Sequence, residues 1–186
     1  MGNRGVLHNE NREIVRRYAC RRWISCLLEF RGRWRAVMSP RRYTELFFLD
    51  EAVALAAGHR PCAECRRERF NAFKEAWVRS EDLPRTDFLY VDEMDLELHC
   101  ARIDRGQRKV TYRAPLKSLP DGCFVEIESS SYLVWGENLF RWSLAAYVDK
   151  IPRPGDLSVA VLTPETIVRC LRNGYKPEVH ISLLAF

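Results

Sequence analysis

Cys62 and Cys65 are the residues of this chain best placed to do chemistry. They lie three apart in the stretch Gly58-His59-Arg60-Pro61-Cys62-Ala63-Glu64-Cys65-Arg66-Arg67. A C-x-x-C spacing lets two sulfurs reach one ion or each other, so the pair is either half of a zinc site or a dithiol redox couple. The plainer alternative is two small buried apolar side chains.

The neighbouring residues say how the pair is presented. Asp50 is a good N-cap for a short helix over 51–57, which ends at Gly58, a residue that accepts the positive φ of a helix C′ position. Pro61 has the fixed φ suited to the first residue of a new helix, predicted to run to about Arg79. On that reading both thiols sit in the first helical turn, where the partial positive charge favours thiolate. Phe70, Phe73 and Trp77 share one face of this helix and are expected in the core.

Upstream, 23–30 alternates as a strand. Its second set, Ile24, Cys26, Leu28 and Phe30, is wholly apolar and expected to point inward. Arg31-Gly32-Arg33 reads as a hairpin turn, with 34–38 returning, and 43–49 as another short strand. Cys20 and Cys26 could each swing to the Cys62/Cys65 pair; Cys26 is the candidate ligand, although a core role is the alternative.

Further along, Ser80 to Arg85 reads as a linker and 90–103 as a helix carrying His99-Cys100. Beyond Gly106 the pattern is of strands over 109–113, 123–127, 132–135 and 139–142, separated by turn residues, with another over 157–162. Thr163-Pro164-Glu165 opens a helix that stops at Asn173-Gly174. The expected fold class is α+β: a small antiparallel sheet with two helices, then a β-meander closed by a C-terminal helix. The expected division is 1–82, carrying the cysteine pair, and 83–186, of unassigned role.

The 186 residues are 47% apolar and 30% charged, enough for a core and unlike a membrane protein. Absence of a long apolar run or signal-like start, with seven scattered cysteines, points to a reducing cytoplasm. Residues 1–80 carry 17 Lys plus Arg against 9 Asp plus Glu, whereas the rest carry 13 against 16. A basic first half can attract phosphate backbones, so nucleic acid is a candidate partner. The 25 arginines against 5 lysines are also what a GC-rich coding bias would leave. Phosphate-binding glycine loops and serine nucleophile elbows are absent.

Glu45-Leu-Phe-Phe-Leu-Asp-Glu-Ala-Val-Ala-Leu-Ala-Ala-Gly-His-Arg-Pro-Cys-Ala-Glu-Cys-Arg-Arg, ending at Arg67, resembles the second half of the Ada-type N-terminal zinc module. That family reads as an aromatic strand, an Ala-rich helix, then Ala-Gly-aromatic-Arg-Pro-Cys-x-x-Cys. The resemblance spans 23 residues. It implies a four-ligand zinc site in which Cys62 and Cys65 are joined by an upstream pair. Val6-Leu7-His8 resembles the strand that opens such modules, which makes His8 a candidate ligand beside Cys26, with Cys20 and His99 in reserve. The family's methyl-accepting cysteine belongs to the upstream half, where Arg31 and Arg35 stand at the simple spacing. Repair activity is therefore expected to be absent or feeble.

The resulting expectation is a cytoplasmic zinc-binding protein with a structural Cys/His site rather than an enzyme. The alternatives are a DNA-associated module, with or without alkyl acceptance, and a dithiol oxidoreductase using Cys62 and Cys65.

Overall fold

The computed structural model describes residues 1–34, 36–81 and 91–186. A small sheet joins three two-residue strands, β1 (Gly2–Asn3), β2 (Ile24–Ser25) and β3 (Arg60–Pro61). β1 pairs antiparallel with β2, whereas β2 pairs parallel with β3, Ile24 opposite Arg60 and Ser25 opposite Pro61. This sheet is thus mixed rather than antiparallel.

Between β2 and β3 lies α1 (Glu51–Ala56), capped by Asp50, whose side chain accepts from the Val53 N–H at 2.9 Å. Gly58 follows at φ +80°, and a Cβ there would stand 2.6 Å from Arg102 Cδ. The next helix, α2, spans Arg67–Ser80. It starts later than Pro61 predicts, because Arg60 and Pro61 are committed to the sheet and the Cys62 N–H still donates to Ser25 O at 2.9 Å. The cysteine pair therefore occupies the turn before the helix.

The strand expected over 23–30 stops after Ser25, and its inward face is the reverse of the one expected. Trp23 and Ser25 are buried, while Leu28 is 75% exposed. No returning strand forms over 34–38 among the described residues, so the hairpin is an irregular loop. Left-handed Arg31 and Gly32 (φ +53° and +64°) turn it.

The second half begins with α3 (Val91–Arg102). A six-stranded antiparallel sheet follows: β4 (Tyr112–Pro115), β5 (Phe124–Ile127), β6 (Ser130–Trp135), β7 (Asn138–Trp142), β8 (Tyr147–Pro152) and β9 (Ser158–Val161). Its order is β4-β9-β5-β6-β7-β8, so the expected meander holds from β5 to β8 and β9 inserts beside β5. Helix α4 (Glu165–Arg172) closes the unit. The α+β class is the one expected from sequence. The linker expected over 80–85 falls mostly outside the described residues.

One buried cluster takes Phe70, Phe73 and Trp77 from α2, Met94 and Leu98 from α3, Val125 and Val161 from the large sheet and Ile167 from α4. The expected boundary after residue 82 therefore does not separate two cores. Polar ties reinforce this. Asp50 accepts from the Tyr147 hydroxyl at 2.7 Å and the His180 N–H at 3.0 Å. Glu51 accepts from the Tyr175 hydroxyl at 2.7 Å and the Glu178 N–H at 2.9 Å, and pairs with Arg69. The start of α1 is thereby clasped by the end of the chain.

Candidate metal centre

The parallel pairing of β2 with β3 builds the site. Two strands in register lie about 4.8 Å apart, and the residue after each is a cysteine. Continuing the register past Ser25 and Pro61 sets Cys26 beside Cys62. Backbone bonds hold both in place: Cys26 N–H donates to Met1 O at 2.7 Å and Cys62 N–H to Ser25 O at 2.9 Å. The turn after Cys62 then brings Cys65 back over the pair.

The Sγ atoms of Cys26, Cys62 and Cys65 all lie within 4.8 Å of one another. Tetrahedral zinc with Zn–S bonds of about 2.3 Å needs sulfurs about 3.8 Å apart, so an ion fits with a closure of at most about 1 Å. Among the described residues, no other group of three or more metal-ligating side chains forms. All seven cysteines are free thiols.

The surroundings favour one negative sulfur, that of Cys62. The Glu64 N–H points to Cys62 Sγ at 3.4 Å and the Leu27 N–H to Cys65 Sγ at 3.4 Å. Such donors stabilise a thiolate whether or not an ion is bound. The Cys62 thiol is pulled down to about 5, chiefly by the hydrogen bond from Cys26 and then by the turn's backbone N–H groups, against burial. Cys26 is pushed up, because it donates that bond and would ionise beside an existing thiolate. Cys65 is raised by burial and by the Cys62 charge. The Cys26 thiol, helped by local amides in the turn, thus does what the first helical turn was expected to do.

His8 is not part of the triangle. Its ring is buried, with Nδ1 2.7 Å from Thr44 Oγ1. Of the reserve residues, Cys20 is exposed and directs its Sγ to Arg22 O at 3.2 Å. His99 stands edge-on to Tyr18, with ring centroids 4.9 Å apart.

All three cysteines also line a cavity of about 550 Å³. Phe30, Trp34, Tyr43 and Phe47 contribute its aromatic wall. Arg33 and Glu64, both lining residues, form an ion pair at 2.7 Å with side chains more than half exposed. Sequence reading missed this wall, since aromatic residues scattered over 30–47 have no period that identifies a pocket.

Behind the small sheet the support is cationic. The Trp23 ring is sandwiched between the Arg4 and Arg102 guanidiniums, 3.9 and 4.1 Å from its centroid. Arg4 Nε donates to His59 Nε2 at 3.1 Å, and Arg102 Nη1 to Gly58 O at 2.7 Å. Burial lowers Arg4 to about 10 and Arg102 to about 9. On the α3 side, Arg60 and Asp95 form a bidentate pair, both contacts 2.7 Å, with side chains only 4% exposed. Asp95 anchors β3, and hence Cys62, to α3.

Comparison with family models, with curated proteins and with solved structures returns no match for this chain.

Proposed function

We propose that this chain is a zinc-binding protein in which Cys26, Cys62 and Cys65 hold the ion as thiolates, within a module of Ada type. The observation that carries the reading is the triangle of sulfurs at the ends of two paired strands. Soft thiolate donors select zinc over the hard divalent ions. An ion there clips β2 to the turn after β3, a structural role, while three protein donors leave its fourth position to be filled from elsewhere. The 45–67 pattern supports the Ada-type assignment through its order of helix, Gly58, Pro61 and C-x-x-C. A reducing cytoplasm suits a protein that depends on free thiols.

Metal analysis of freshly purified protein tests the reading, with about one zinc per chain expected. A fully folded, metal-free protein that does not take up zinc overturns it.

Nucleic-acid contact is the second reading, supported by the basic balance of residues 1–80. Retention on duplex DNA that falls steeply with salt is its signature. An alkyl-accepting role would fall on Cys26, the upstream thiol of the group. Mass spectrometry after exposure to alkylated DNA detects it, and no transfer is expected. A dithiol oxidoreductase would instead cycle Cys62 and Cys65 through a disulfide, and would work without metal.

A further inference from the structure

We infer that the fourth coordination position of this centre is completed from outside the chain, by a small thiol carrying an apolar, ring-sized body. The inference rests on the zinc reading above and extends it to a ligand class.

The ligand count comes first. Tetrahedral zinc takes four donors, and a site with three protein ligands leaves one position for an exogenous group. Among the described residues, the donors gathered here number three, and His8 lies outside the group.

The three sulfurs also have open space beside them. Cys26, Cys62 and Cys65 all border one cavity of about 550 Å³, within the size range of small-molecule sites. The cavity carries an unusual share of exposed apolar surface: Trp34 is 87% exposed, Leu28 75% and Phe47 61%. Large exposed apolar side chains lining the same pocket as three soft donors mark a binding site rather than ordinary surface.

The ligand's chemistry follows from both ends. Three thiolates make the ion soft and favour sulfur as the fourth donor. The entering thiol gives up its S–H proton to solvent as its sulfur joins the ion, with no change of oxidation state. The aromatic wall favours a flat apolar body, and the Arg33–Glu64 pair leaves the rim near neutral.

Cobalt(II)-substituted full-length protein provides the test, because d–d bands report the coordination sphere without any assay of activity. Titration with benzyl mercaptan should shift these bands saturably. Its apparent affinity should exceed that of 2-mercaptoethanol by on the order of tenfold, from burial of the ring. Trp34→Ala should remove most of that advantage while leaving 2-mercaptoethanol unaffected. Spectra unchanged by either thiol overturn the inference, as does equal affinity for both or stripping of the metal. In those cases cobalt uptake still upholds the metal-binding reading, whereas failure to take up cobalt or zinc defeats that reading itself.

Discussion

Replacing Asp95 with alanine should destabilise the protein more than any single change on its surface. In the native structure Asp95 accepts two hydrogen bonds of 2.7 Å from Arg60, and both side chains are 4% exposed. Deleting the carboxylate leaves a buried guanidinium with two donors unpaired. Breaking a buried pair from one side costs about 3–5 kcal/mol, of a total that for natural domains is about 5–15 kcal/mol. For a chain of this length each kcal/mol moves Tm by roughly 2–4 °C, so a fall of about 6–20 °C is expected. Urea unfolding of the metal-free protein measures the loss directly and avoids the added stability that bound metal brings by mass action. Replacing both partners, as Arg60→Met with Asp95→Leu, should recover much of it, since no orphaned charge remains. A loss below about 1 kcal/mol for Asp95→Ala, typical of exposed pairs, would refute the assignment of this contact as the buried anchor of β3.

Three further outcomes are expected. His59 is held well below the ordinary imidazole value, chiefly by burial and then by the Arg4 and Arg102 charges. The unfolded chain therefore binds a proton that the native state refuses, and stability should decline as pH falls below about 6.5, by up to ~1.4 kcal/mol per pH unit from this group. His59→Gln should flatten the slope between pH 6.5 and 5 in urea titrations, and an unchanged slope would count against the burial argument. With Cys62 ionising near 5 and Cys26 and Cys65 raised, zinc uptake at pH 7 should release about two protons rather than three. Calorimetry in buffers of different ionisation enthalpy reads that number, and three would overturn the sharing of charge among the thiols. Gly58→Ala should cost about 1–3 kcal/mol through the left-handed backbone and the close approach of Arg102; a neutral effect in urea unfolding would refute it.

Local signals in the sequence were read best where a side chain acts on its own backbone. Asp50 caps α1, Gly58 ends it, and Phe70, Phe73 and Trp77 face the core as their spacing implies. Pairing between distant segments was less visible. Alternation over 23–30 gave Cys26 an inward apolar face, yet only two residues of that stretch pair as a strand, and Trp23 takes the buried side because two guanidiniums enclose it. Pro61 carries the φ of a helix start but serves equally in an extended strand, which moved the cysteines into a turn. β8 escaped notice because Asp149 and Lys150 give this edge strand the charges of a loop. The triangle itself depends on Ser25 lying opposite Pro61, a register that neither segment encodes alone.

The division of labour around the cavity has an evolutionary consequence. The sulfurs are placed by backbone pairing and by one short turn, whereas much of the wall comes from the irregular loop after Cys26. Changing the length of such a loop alters closure entropy only slowly, by about 0.6 kcal/mol per doubling. Related chains can therefore exchange, lengthen or reshape this segment and so choose different guests, while the coordinating triangle stays where the strands put it.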